Sequence, residues 1–166
     1  VALHQPQHFL HCLGQPHRHR AADDAVADVI KKSGLSADLN RFPEGLETVI
    51  GERGVTLSGG QIQRIALARA LMTRPDILVL DDAFSSLDAE TEEDILSNIS
   101  EFTRGATTII VSHRLSAVRK ADRIIVLDQG QIVEDGMHGE LMQSNGKYAQ
   151  IYKNQALAME MEITLQ

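Results

Sequence analysis

The chain has 166 residues, 43% of them hydrophobic and 23% charged, with a formal net charge of −7. That length suits one domain with a proper core, and the acidic balance argues against broad nucleic-acid binding. Aromatic residues are only 4% and Trp is absent, so the core must be built from Leu, Ile, Val and Ala.

Residues 1–21 stand apart. They hold His4, His8, His11, His17 and His19, with Cys12 and two prolines between them, and show no helical or strand period. The opening VALHQPQHFL lacks the basic-then-apolar pattern of a signal peptide. No apolar run in the chain approaches the roughly 18–20 residues that span a bilayer. A lone Cys12 has no internal disulfide partner, which suits the cytosol. His4, His8, His11 and Cys12 invite a Zn²⁺ reading, since imidazole and thiolate suit that ion. A disordered tail, or a segment read in a shifted frame, accounts for them as well.

From Ala22 the pattern turns helical, with Asp23 or Asp24 as cap, Val26, Val29 and Ile30 on one face, and Gly34 at the C-terminal end. Leu35 to Gly54 reads as loop with short helical turns. A second helix follows, capped by Ser58, opened by Gly59 and Gly60, and ended before Pro75. Ile77-Leu78-Val79-Leu80 is apolar without alternation, the pattern of a strand covered on both faces, and it ends at Asp81 and Asp82. Asp88 can cap a helix from Ala89 to about Phe102, whose acidic start suits the helix dipole and reads as solvated. Thr107 to Val111 is a second buried strand, ending at Ser112-His113. A short helix over Leu115 to Ala121 comes next. Two strands, Arg123 to Leu127 and Gln131 to Glu134, join at Asp128-Gln129-Gly130. From Met137 the chain is helical, interrupted at Asn145-Gly146; Met159 and Met161 fall in its last part. Strand and helix alternate, which predicts an α/β layer with parallel strands.

In open α/β sheets ligands bind beyond the carboxyl ends of the strands, where Asp81, Asp82 and His113 fall. A carboxylate there can hold Mg²⁺ beside a phosphate. Leu57-Ser58-Gly59-Gly60-Gln61 is a second candidate, because two glycines at a helix start bring free N–H groups and the helix dipole close to an anion. Each element has an ordinary structural explanation by itself.

Their order resembles one family. Leu57-Ser58-Gly59-Gly60-Gln61 with Gln63-Arg64-Ile65-Ala66-Leu67-Ala68-Arg69-Ala70 resembles the signature motif of ABC ATPases. Ile77 to Asp82 looks like their Walker B strand, Ser85-Ser86-Leu87-Asp88 like their D-loop, and His113 falls at the switch histidine. Gly51-Glu52-Arg53-Gly54 resembles the X-loop of the exporter branch, as do Ser112-His113-Arg114-Leu115 and the stretch from Asp135 to Leu141. Pro6-Gln7 before Phe9-Leu10 looks like a damaged Q-loop.

The resemblance implies a partial P-loop NTPase fold, in which parallel core strands flanked by helices carry an α-helical signature subdomain. It places that subdomain at 22–75, the Walker B, D-loop and H-loop core at 76–155, and a tail at 156–166, with residues 1–21 a remnant of the Q-loop region. It implies ATP and Mg²⁺ as ligands. Asp81 would help hold Mg²⁺, Asp82 would act as general base, and His113 would bond the γ-phosphate. Leu57, Ser58, Gly59, Gly60 and Gln61 would face the ATP of an opposite subunit, Asp88 would link the two sites, and Gln7 would contact Mg²⁺ and water. The partners implied are a second nucleotide-binding domain, identical or different, and a membrane domain met near Glu52 at the cytoplasmic face.

Two departures matter. No G-x-x-x-x-G-K-[ST] occurs in the chain, so the isolated chain is expected not to bind ATP well or hydrolyse it. Asp82 stands where the family usually has Glu, one methylene longer. The expected activity of the intact assembly is ATP hydrolysis driving export. A signature-donating interaction module without hydrolysis, and a truncated inactive product, are the alternatives.

Overall fold

The structure is a computed structural model and describes residues 7–8, 20–51 and 54–164. It divides into two compact units, one up to Val111 and the other from Ser112.

In the first unit, strand β1 (Gln7–His8) pairs antiparallel with β2 (Val49–Ile50). Helix α1 (Arg20–Lys32) starts two residues earlier than its sequence pattern indicates, and Gly34 follows it with φ 73°. The loop beyond holds the short helix α2 (Ser36–Leu39) and a 3₁₀ turn (Gly45–Glu47). Helix α3 (Gly59–Met72) leads to β3 (Ile77–Asp81), α4 (Ala89–Phe102) and β4 (Thr107–Val111). Strands β3 and β4 are parallel and in register from Ile77↔Thr107 to Asp81↔Val111, as the α/β pattern requires.

The core of this unit joins Val26, Val29 and Ile30 of α1, Ile65, Ala68 and Leu71 of α3, Leu78 and Leu80 of β3, and Ile95 and Ile99 of α4. All three helices pack on one face of the β3–β4 pair. On the other face, Ile77, Val79, Ile109 and Val111 are 47–62% exposed. The expectation of two covered faces is therefore corrected: an apolar run reports the residues a strand offers for burial, and no described element of this unit lies over this second face. Glu92 also departs from expectation. It is 1% exposed, so the start of α4 is not uniformly solvated.

The second unit contains α5 (Leu115–Val118), the antiparallel pair β5 (Ile124–Asp128) and β6 (Gln131–Gly136), and helices α6 (His138–Ser144) and α7 (Lys147–Thr164). The two-residue turn at Gln129 and Gly130 has positive φ at both positions, the geometry that matches strand twist in a tight hairpin. Arg123 clasps Asp135 through two bonds of 2.8 and 2.5 Å at the open end of the hairpin. Leu115, Ile124, Leu141 and Tyr148 form its core. Asn145, at φ 52°, makes the break between α6 and α7. Helix α7 continues to Thr164 and includes Met159 and Met161. No helix among the described residues is long and apolar enough to cross a membrane.

Candidate functional site

Ser58 begins α3 with a reciprocal cap. Its Oγ accepts the N–H of Gln61 at 3.2 Å, and Oε1 of Gln61 accepts the N–H of Ser58 at 2.9 Å. Two of the donors at this helix end are thereby satisfied. The N–H groups of Gly59 and Gly60 lie in the first turn, where no preceding helical carbonyl exists for them. Because Ser58 Oγ accepts from Gln61, its own proton remains to be donated outward. Ser58 and Gly59 are exposed. The arrangement is a helix N-terminus with one hydroxyl and two backbone donors, a chemistry that fits phosphate oxygens.

The cap is held from beneath. Gln61 Nε2 donates to Asp38 Oδ1 at 3.1 Å, and Arg64 reaches Asp38 Oδ2 through Nε at 2.9 Å and Nη2 at 2.7 Å. The Asp38 and Arg64 side chains are 8% and 15% exposed, so this is a nearly buried ion pair that also fixes the signature glutamine. Leu57 is half-buried against the core.

Residues 83–88 pack on the same helix end. A Cβ on Gly60 would lie 3.0 Å from Leu87 Cδ2 and 3.1 Å from the backbone oxygen of Ser86, so any larger residue would require the loop to give by a few tenths of an ångström. Gln63 spans the contact: its Nε2 donates to Ser85 Oγ at 2.8 Å and its Oε1 accepts the N–H of Ser86 at 3.1 Å. Asp88 caps α4, with Oδ1 accepting the N–H of Thr91 at 2.9 Å and Oδ2 accepting its hydroxyl at 2.8 Å. Those bonds hold the Asp88 carboxyl below the usual carboxylate range.

Asp81 and Asp82 are exposed at the carboxyl end of β3. The Asp82 backbone is left-handed, with φ 47°, and its N–H donates to the Val111 oxygen at 2.9 Å. Exposed carboxylate oxygens at a strand end are a hard-donor set that fits Mg²⁺. Among the described residues no cluster of three or more His, Cys, Asp or Glu could hold a metal by protein ligands alone. An ion at Asp81 would therefore need water and phosphate oxygens, the habit of Mg²⁺ at nucleotide sites.

His113 belongs to the second unit and is exposed. Its backbone oxygen accepts from Gln155 Nε2 at 2.6 Å, while Gln155 Oε1 accepts the N–H of Leu115 at 3.1 Å. One amide on α7 thus clasps the turn that carries the histidine. Gln7 lies in β1, opposite Ile50. His4, His11, Cys12, His17, His19 and the coupling candidate Glu52 lie outside the described residues. The sequence pattern assigns no individual role to Asp38, Gln63 or Gln155. Gln63 falls inside the signature run, whereas Asp38 and Gln155 act across 23 and 42 positions, beyond any local pattern.

The family profile described as ABC transporter matches residues 4–85, which include the cap at Ser58 and the Asp81-Asp82 strand end. The chain is 52% identical over 137 residues to a probable multidrug resistance ABC transporter ATP-binding/permease protein, YheI, of Bacillus subtilis, with 82% of this chain and 23% of that protein covered. It is 45% identical over 135 residues to an ATP-dependent lipid A-core flippase of Alcanivorax borkumensis, covering 81% of this chain and 23% of the relative. The solved structure of a bacterial Atm1-family ABC exporter with ATP bound superposes with a TM-score of 0.80 at 39% identity, over 91% of this chain and 26% of that one. The fold and the capped signature helix thus define an ABC-type ATP-binding domain. The chain belongs to the ABC transporter family and carries part of that domain. It spans about a quarter of the length of these relatives.

Proposed function

We propose that this chain is part of the ATP-binding and ATP-hydrolysing unit of an exporter-type ABC transporter, working as one half of a head-to-tail pair at the cytoplasmic face of a membrane. The observation that carries this reading is the Ser58 helix end, with outward donors at Ser58, Gly59 and Gly60 and glutamine-anchored packing against residues 83–88. Both relatives and the solved exporter are named as transport proteins.

In this reading, Ser58 and the backbone at Gly60 donate to the γ-phosphate of an ATP held by the opposite subunit. Asp81 holds Mg²⁺, which when bound supplies charge neutralisation for the phosphates. Asp82 orients the attacking water and accepts its proton, and His113 donates to the γ-phosphate. Leu57 and Gln61 shape the signature, Gln7 contacts water beside the metal, and Asp88 reaches across the pair. Glu52, outside the described residues, is the candidate for meeting a membrane domain. The sequence contains no P-loop motif; in this reading Ser58 supplies the donor face to the opposite subunit's ATP, and Asp81 and Asp82 serve an ATP at this chain's own face. The two relatives are named for different cargoes, drugs and lipid A core.

The test is ATP-dependent association of the purified chain with a complete ABC ATP-binding domain in Mg²⁺, read by sedimentation. Complex formation with ATP, its loss in Ser58→Arg, and weak ATP binding by the chain alone are expected. Tight ATP binding by the free chain, abolished by Asp81→Ala, would replace the donor reading with an independent site. Association indifferent to both ATP and Ser58→Arg would overturn the proposal.

A further inference from the structure

Gln63 makes two bonds to residues 83–88, and their proton directions are fixed. A backbone N–H can only donate, so the atom facing Ser86 N must be Oε1, and Nε2 must face Ser85 Oγ. Ser85 Oγ in turn donates its single proton to the Asp82 backbone oxygen at 3.1 Å. The result is a directed relay from Gln63 Nε2 to Ser85 Oγ to the Asp82 carbonyl. It ends on a residue whose left-handed backbone is held on its other side by the bond from its N–H to Val111. The relay starts on α3, two residues beyond Gln61 and one turn beyond the capped Ser58.

We propose that Gln63 is a positioning residue that makes the signature end of α3 and the turn carrying Asp82 move as one body. The proposal rests on the functional reading above and extends it: Ser58 would answer to the γ-phosphate of the opposite subunit's ATP, whereas Asp82 would act on ATP at this chain's own face. Gln63 then carries information from one nucleotide to the carboxylate serving the other. Asp88 caps α4 through Thr91 and is not a member of this chain of bonds. A Cβ on Gly59 would lie 3.0 Å from Ser86 Oγ and one on Gly60 3.1 Å from the Ser86 oxygen, so the loop lies directly against the helix end. A displacement of the helix end must therefore move the loop or break the amide bonds.

The discriminating variant is Gln63→Glu, which keeps size and shape. A carboxylate accepts from Ser86 N as before but has no proton for Ser85. The one hydroxyl proton of Ser85 would then have to serve both the introduced carboxylate and the Asp82 carbonyl, so one bond of the relay is lost. Because Ser58 and Gln61 keep their own cap, contact with the partner's phosphate should survive.

Amide hydrogen exchange resolved by residue reads this directly. In the free chain, Gln63→Glu should speed exchange at Asp82, Ser85 and Leu87 by about tenfold, with amides of β3 such as Leu80 unchanged. On ATP-dependent association with a complete ATP-binding domain, the wild-type chain should gain protection at Asp82 and Ser85. The variant should associate within about threefold of wild type yet gain none there. Equal exchange in both free chains, or equal protection in both complexes, would overturn the proposal. If the wild-type chain fails to associate at all, the functional reading falls, and the free-chain exchange still decides whether Gln63 positions Asp82. Gln63→Asn, too short to span both partners, guards against a special effect of charge and should behave like Gln63→Glu.

Discussion

Asp38 offers the sharpest test of how the signature helix is held. Its carboxylate accepts three side-chain bonds, one from Gln61 and two from Arg64, while only 8% exposed. In Asp38→Ala, Arg64 keeps its charge but loses its only described counter-ion while 15% exposed. Removing one partner of a buried pair costs about 3–5 kcal/mol, and the residual exposure of Arg64 places this case near 3. The freed Gln61 amide adds about 1 kcal/mol, being partly solvated. The total, about 4 kcal/mol, is a large part of a typical domain's stability. With a urea dependence of about 2 kcal/mol per molar, the unfolding midpoint should fall by about 2 M. The double variant Asp38→Ala with Arg64→Met removes the stranded charge and should recover about 2 kcal/mol of the loss, since paired replacement by apolar groups is far less costly. Urea titrations followed by far-UV circular dichroism on wild type, both single variants and the double variant complete the cycle. A midpoint shift below about 0.5 M for Asp38→Ala, or strict additivity in the double variant, would refute the view that charge pairing anchors the signature.

The two faces of β3 should respond very differently. Leu78→Ala, at 3% exposure, should cost about 2–5 kcal/mol, whereas Val79→Ala, at 58%, should cost less than about 1 kcal/mol; equal costs by urea unfolding would mean that both faces are covered. The Asp88 carboxyl is held below its ordinary 3.8 by the Thr91 backbone N–H first and its hydroxyl second. A depressed folded value means that its contribution to stability is present above the unfolded value and fades as pH falls through the folded one. Carbon-13 titration should place the Asp88 midpoint below 3.8, and Thr91→Val, which removes the hydroxyl bond, should move it upward. A midpoint indifferent to Thr91→Val would dismiss the side-chain part of that cause.

Much of this arrangement was legible in sequence because it is local. A cap needs the right residue type at the start of a helix, so Ser58 and Asp88 announce themselves, while their partners Gln61 and Thr91 come from the structure. The parallel pairing of β3 with β4 followed from two apolar runs separated by a helix. Asp38 was hidden because one acidic residue in a loop carries no periodic signal, and its role exists only once α2 has packed beneath α3. Gln155 was hidden in the same way, on a helix whose exposed positions look alike. The coverage of β3 was misjudged because apolar character does not say which neighbour is present.

Asp82 shows how a departure from a family pattern can have two physical sides. From sequence it is a shorter side chain, and as the proposed base it would fall short of an attacking water by roughly 1 Å, a misplacement that can cost about a hundredfold in rate. The structure adds that its backbone is left-handed, at φ 47°. Asp is enriched there several-fold over most residues because its short carboxylate can bond locally, which corresponds to about 1 kcal/mol. A Glu at this position would bear that conformational cost and gain reach worth about 2.7 kcal/mol in barrier height for a hundredfold. The two effects are comparable but act on different quantities: the first on the stability of the turn, the second on the rate of hydrolysis. The relay through Ser85 restrains the same backbone, so the placement of the Asp82 carboxylate depends on Gln63 as well as on side-chain length. In the proposed reading, a short base is tolerable because its backbone is held both by its bond to Val111 and by Gln63 through Ser85.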